Sequence, residues 1–353
     1  CIFETYVASR SDIPCTVIMP EDRLPSNAVV ENLSIREFSE RVYVDSLNAK
    51  ASEIADEVGI KELLMTTSSF EVTNNRVTLA LYTSNLYLIR RAEREISELR
   101  GVAVSYLVNS FQHNARRCTG KDNPIFDEIC PHLALGPNGI GFGTMCPRDR
   151  RPHSSIVDAV AENDRKRATH FVSWCWKYHL VTVISALMRF ARETGLRHED
   201  VFVWIDFFCN NQYRIIDEGR PPIESTKLRQ IFGNHLTSIG HVLILLDTFE
   251  SPIYTKRIWC VFEAYLCTHE KIPMSVILPE SADSAFTDIN PKELKKSLRE
   301  IDIRQASATY PADEHLIKAE IERTVGYDVV NKAVADRLVQ WFSDSFFRYL
   351  RSP

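Results

Sequence analysis

The stretch His170-Phe171-Val172-Ser173-Trp174 decides the fold. It is a short apolar run that ends in polar residues. After a brief break it gives way to Leu180 to Glu193, where apolar residues recur at helical spacing. The alternation then repeats. Val201 to Ile205, His241 to Leu246 and Met274 to Leu278 read as further strands, with helical stretches at about Ser225 to Ser238 and Ile253 to His269 between them. Short apolar strands separated by helices imply a parallel sheet covered on both faces. Right-handed crossovers then give a doubly wound α/β sheet of flavodoxin-like strand order.

Working outward, residues 1–110 read as a mixed α/β N-terminal domain. Ser34-Ile35-Arg36-Glu37 has the capping-box pattern, and apolar residues from Ile35 to Val58 roughly follow a helical period. Phe70 to Val72 and Val77 to Leu81 alternate around Asn74-Asn75, a hairpin signal. A helix is expected from about Leu86 to Leu99, stopped by Gly101, and then a strand from Val102 to Val108. Residues 111–167 read as an irregular linker region. Four of the twelve glycines lie between Gly136 and Gly143, but no Lys-Ser/Thr follows as a phosphate-binding loop requires, so a surface loop is the expectation. The sheet domain is expected over 168–285 and a helical extension over 286–353, with helical patterns at Lys292 to Ile301, His315 to Val325 and Val329 to Leu350.

Composition sets outer limits. The 353 residues are 44% hydrophobic and 25% charged, ordinary for a globular protein. A net charge of −5 without a long basic run argues against nucleic-acid binding. No apolar run is long enough to span a bilayer, and no signal-peptide pattern is visible. The nine cysteines are scattered without a C-x-x-C pair, which points to buried thiols in a reducing, intracellular and cytoplasmic setting, not to a disulfide frame or zinc site. The histidines lack metal-ligand spacing, and no metal is expected.

The chemistry gathers at the carboxyl ends of the expected strands, where open parallel sheets bind ligands. Ser173 and Trp174 end the first strand, Asp206 follows the second and Asp247 the third. The helix after the third strand carries Glu263, a lone carboxylate among apolar and aromatic residues and one turn beyond Trp259. Each has an ordinary reading. Asp206 and Asp247 would cap the next turn, Ser173 would be structural, and Glu263 would pair with Lys256 or Arg257 or sit on a solvated helix edge. A phospho-receiver would need paired acids where Trp174-Cys175-Trp176-Lys177 stands, and a dinucleotide fold would need glycines there. No base is placed to activate a cysteine nucleophile.

Residues 168 to 280 resemble a TIR domain, the Toll/interleukin-1 receptor and plant-resistance type. His170-Phe171-Val172-Ser173-Trp174 is similar to its opening strand and Val201-Phe202-Val203-Trp204-Ile205-Asp206 to its second. Arg257-Ile258-Trp259-Cys260-Val261-Phe262-Glu263 is similar to the family's S-x-W-C-x-x-E element, with Arg257 and Ile258 where small residues are usual. The segment from Asn210 to Pro222 departs from the family pattern. The resemblance implies NAD cleavage with Glu263 as the catalytic carboxylate, NAD being a substrate and not a resident cofactor. Ser173, Trp174, Asp206, Asp247 and Trp259 would surround the nucleotide. It equally implies a non-enzymatic scaffold that assembles through TIR-like contacts with itself or with protein partners. A sensor that holds a nucleotide without cleaving it is a third reading.

Overall fold

The computed structural model describes residues 2–11, 44–219, 233–248, 252–282 and 301–351. The chain separates into two compact units, Cys1–Glu95 and Ile96–Pro353.

The described part of the first unit is helical: α1 (Ile2–Arg10), α2 (Ile54–Thr67) and α3 (Phe70–Glu98). The hairpin expected around Asn74-Asn75 is part of α3. Phe70, Thr73, Val77 and Leu81 face inward at helical spacing, and the Asn74 side chain accepts hydrogen bonds from the Ser46 amide (2.9 Å) and hydroxyl (2.6 Å). An asparagine engaged across 28 residues is not forming a local turn. Of the expected mixed α/β domain over 1–110, the elements that the described residues form before Leu99 are helical, and the strand it contains, Arg100–Ala103, belongs to the second unit. The capping box at Ser34 lies outside the described residues.

The second unit runs in order through β1 (Arg100–Ala103), α4 (Gln112–Thr119), α5 (Phe126–Leu133), β2 (Arg165–Arg167), β3 (His170–Ser173), α6 (Leu180–Thr194), β4 (Phe202–Trp204), β5 (Val242–Leu245), α7 (Ile258–His269), β6 (Met274–Ile277), α8 (Pro311–Thr324) and α9 (Tyr327–Arg351). It is a mixed α/β fold built on a six-stranded sheet of order β2-β1-β4-β3-β5-β6. The four strands β4, β3, β5 and β6 are parallel, while β1 and β2 add an antiparallel edge beside β4. The strand expected to run from Val102 to Val108 begins earlier and stops at Ala103, where the chain turns into a helix. Gly101 does not stop a helix here. It lies inside β1, where a β-carbon would fall 2.9 Å from the Val203 backbone, so glycine lets β1 approach β4.

The expected irregularity of 109–168 is corrected in the same way. A π-helical stretch Leu107–Phe111 leads into α4, and α5 buries Phe126, Ile129, Cys130 and Leu133 at spacings of three and four. Phe111 and Phe126 meet Phe207 and Phe208 ring against ring, joining this segment to the core behind β4. These residues belong to the sheet unit and are not a linker.

The glycine-rich loop is packed. Tyr213 donates to the Gly136 carbonyl at 3.0 Å, and the Ser154 amide donates to the Gly141 carbonyl at 3.0 Å. A β-carbon on Gly141 would collide with the Ser154 carbonyl oxygen, a backbone atom that has no rotamer to move into. Gly141→Ala is expected to destabilise the protein by about 1–3 kcal/mol, as overpacking does. Urea denaturation measures it, and an unchanged midpoint would contradict the packing described.

A buried charge network joins β1, residues 148–158 and the segment after β4. Asp158 is 6% exposed and accepts from Arg100 (2.8 Å), Ser97 (2.8 Å) and Ser155 (2.7 Å). Arg148 lies 3.8 Å from the same carboxylate and donates to the Cys209 carbonyl at 2.7 Å, so the network reaches the segment after β4.

Helix α6 presents Leu180, Val183, Ile184, Leu187, Phe190 and Ala191 to the core, the stripe its sequence predicts. Helix α7 is buried nearly all round, because β3 lies on one side and α8 and α9 on the other. The helices expected beyond Pro291 thus cover α7. The pattern at Lys292 lies largely outside the described residues, as does 225–232, while 233–239 is helical. No helix among the described residues is long and apolar enough to cross a membrane.

Candidate functional site

Glu263 lies on α7, which starts at Ile258 and not near Tyr254. The start is fixed by the strand-like segment beside it, where the Ile258 amide donates to Ser307 (3.1 Å) and the Ser307 amide to Lys256 (3.0 Å). Residues 253–256 form a separate 3-10 turn. Glu263 is then five residues into the helix, about 8 Å along its axis at 1.5 Å per residue.

Its carboxyl meets Ser173 at the carboxyl end of β3, with the serine hydroxyl 2.5 Å from Oε2. Ser173 Oγ also lies 2.8 Å from the Tyr254 hydroxyl, which donates to the Cys260 carbonyl at 2.8 Å. Burial pushes the Glu263 carboxyl up to about 8; the Ser173 hydroxyl opposes this and the charge of Asp206 adds to it. The side chain nevertheless keeps partial solvent contact. Among the described residues no basic side chain forms an ion pair with Glu263, so the expected partnership with Lys256 or Arg257 is corrected. Arg257 instead donates to Thr309 at 2.8 Å.

Asp206 is held by two indoles. Trp174 Nε1 donates to Oδ1 at 2.7 Å and Trp176 Nε1 to Oδ2 at 2.9 Å, while the Phe207 amide donates to Oδ1 at 2.9 Å. The strand ends at Ser173 and the chain turns at Trp176, which brings both indoles onto the one carboxylate. Asp206 thus opens the helical turn Asp206–Cys209 and binds its second amide, close to its ordinary reading, and its charge also acts on Glu263. Trp174 is 7% exposed and its ring packs at a steep angle against Phe126, with centroids 4.5 Å apart, a core position.

Asp247 accepts from the Ile253 amide at 3.1 Å, and burial raises its pKa. Its side chain caps the 3-10 turn. Trp259 is half-buried and donates to Asp313 on α8 at 3.1 Å. The structure therefore brings Glu263, Ser173 and Asp206 together and gives Asp247 and Trp259 partners of their own.

Burial pushes the thiols of Cys175, Cys209 and Cys260 up, so a thiolate nucleophile has no support. Among the described residues no group of three or more His, Cys, Asp and Glu is placed to hold a metal ion.

Compared with known proteins, the chain matches no family model, no curated protein and no solved structure.

Sequence reading missed two contributors. Trp176 was legible in principle, since Trp174 and Trp176 are two apart beside an expected strand end. Tyr254 carried no local signal, because its role exists only through contacts with Ser173 and the Cys260 carbonyl. The described part of the divergent segment after β4 is anchored at both ends of its contacts: Gln212 donates to the Asp206 carbonyl (2.9 Å), and its neighbours bind the 136–153 region. Asn211 donates to His153 (2.8 Å), Tyr213 to Gly136, and Arg214 to Asp149 (2.7 Å). Residues 220–222 of it lie outside the described ones.

Proposed function

We propose that the sheet unit contains a TIR-like domain of flavodoxin-like strand order that hydrolyses NAD, releasing nicotinamide, with Glu263 as the catalytic carboxylate. The observation that carries the proposal is the placement of Glu263: enclosed, touched by solvent, unpaired with any described cation, and adjoining the carboxyl ends of β3 and β4. The order β4-β3-β5-β6 supports the fold assignment, because it places the second strand beside the first and the third on its other side, as in doubly wound sheets.

The chemistry suits one carboxylate. The bond from the ribose carbon to the nicotinamide nitrogen breaks, and its electron pair neutralises the pyridinium, so no acid has to protonate the leaving group. Positive charge builds on the ribose and an anion beside it stabilises that charge. Water adds to the same carbon and loses a proton, giving ADP-ribose, nicotinamide and H⁺. An ordinary glycoside would need a second carboxyl group as acid.

Only ionised Glu263 can play this part. With its carboxyl pushed up to about 8, kcat/KM for NAD is expected to rise with pH and level off above that value. At pH 6 it should stand roughly a hundredfold below the plateau. Nicotinamide release from purified protein between pH 5.5 and 9 measures this, and activity that is flat or falls across the range would contradict the assignment.

One observation favours the alternative, a scaffold that assembles through protein contacts without catalysis. The Ser173 hydroxyl already gives the carboxyl an internal partner. Under that reading purified protein releases no nicotinamide at any pH.

A further inference from the structure

The hydroxyls next to Glu263 cannot all be satisfied in both of its protonation states. Three contacts run in series: Glu263 to Ser173 (2.5 Å), Ser173 to Tyr254 (2.8 Å), and Tyr254 to the Cys260 carbonyl (2.8 Å). Each needs one proton. When Glu263 is protonated there are three: the acid donates to Ser173, Ser173 to Tyr254, and Tyr254 to the carbonyl. When Glu263 is ionised only two protons remain. Ser173 turns its hydroxyl to the carboxylate, and one contact is left with two lone pairs facing each other. Tyr254 is fully buried and Ser173 is 1% exposed, so water does not supply the missing proton. An unmade hydrogen bond at such a place costs about 1–3 kcal/mol.

We infer that Ser173 and Tyr254 are positioning residues with opposite effects on Glu263: the serine hydroxyl supports its ionised form, and the tyrosine hydroxyl, by competing for the serine's proton, supports its neutral form. The chain ends at a backbone carbonyl, which has no proton to pass on. It is therefore not a conduit, and the proton of Glu263 leaves on the solvent side. Ionisation moves one proton from the acid to solvent and reverses one hydroxyl, and nothing else changes. The other titratable groups around this chain are Asp206 beyond β4, Cys260 and Cys267 on α7, and Asp313 on α8, which holds Trp259 one turn before Glu263.

The inference refines the catalytic reading but its test does not depend on turnover. Urea stability is measured from pH 5 to 9 for the full chain, Ser173→Ala and Tyr254→Phe, each with and without Glu263→Gln. The difference within each pair isolates the titration of Glu263. Tyr254→Phe is expected to lower its midpoint and Ser173→Ala to raise it, each by at least about 1 pH unit, tenfold in proton affinity. If the protein cleaves NAD, the acid limb of kcat/KM moves the same way in Tyr254→Phe. Shifts of the same sign, or none, would overturn the inference. Should Tyr254→Phe fail to fold, Ser173→Ala decides alone: an unchanged or lowered midpoint overturns it. Normal midpoint shifts in a protein that releases no nicotinamide would sink the catalytic proposal and leave this one standing.

Discussion

Glu263→Gln is expected to abolish nicotinamide release and at the same time make the fold more stable at alkaline pH. The loss follows from removing the only charge that the proposed reaction places beside the ribose, and should exceed about a hundredfold. The gain follows from linkage. The folded carboxyl titrates at about 8 against an ordinary 4.5. A group whose folded pKa is raised contributes stability fully below the unfolded value, and that contribution is lost as pH rises toward the folded one. The wild-type protein therefore gives up stability between pH 4.5 and 8, on the order of 5 kcal/mol, while glutamine, which mimics the protonated acid and can donate to Ser173, gives up none.

The comparison must be made at matched pH, because His170 and His235 tilt both proteins the other way. Burial lowers each imidazole to about 4, so their contribution is present above pH 6.5 and lost as pH falls toward 4. Urea denaturation at pH 5 and pH 8 is the measurement. The variant should gain on wild type between the two, and a variant that loses ground at pH 8 would show that Glu263 is held as a carboxylate.

Asp158→Ala should be the most damaging single change outside the site. It removes the anion that Arg100 meets at 2.8 Å and that lies 3.8 Å from Arg148, and it strips the Ser97 and Ser155 hydroxyls of their acceptor. Breaking a buried pair by deleting one partner costs about 3–5 kcal/mol, since the remaining charge stays buried without compensation. Because Arg148 also holds the Cys209 carbonyl, the damage should spread to the segment carrying Asp206. A midpoint within about 1 kcal/mol of wild type would contradict this. Asp158→Asn, which keeps the shape, should fall between the two.

The sequence was most legible where strands are short, apolar and sharply ended. All four parallel strands fall within the runs read from sequence, three of them because burial throughout the strand leaves an almost wholly apolar run. It was least legible where side chains act at a distance. Asn74-Asn75 has the composition of a turn, but Asn74 binds Ser46 and the surrounding residues continue a helix. Helix α5 was hidden because eight residues give barely two turns of pattern between polar stretches. The same division runs through the site. Glu263, Ser173 and Asp206 could be named because strand ends and a helix bring them to one edge. Tyr254 could not, since nothing in its neighbours says that its hydroxyl reaches Ser173.

The rims of the sheet constrain how copies of this protein can meet. Strand β2 is Arg165-Lys166-Arg167, with Arg165 donating to the Asp158 carbonyl and Arg167 to the Ser238 carbonyl at 2.8 Å. Laying two such strands side by side would oppose three cations with three more and would require these anchored side chains to let go. At the far rim, Arg337 of α9 donates to the Met274 carbonyl of β6 at 3.3 Å. At both rims of the described sheet, adding strand to strand is thus discouraged, which favours assembly through helices and loops.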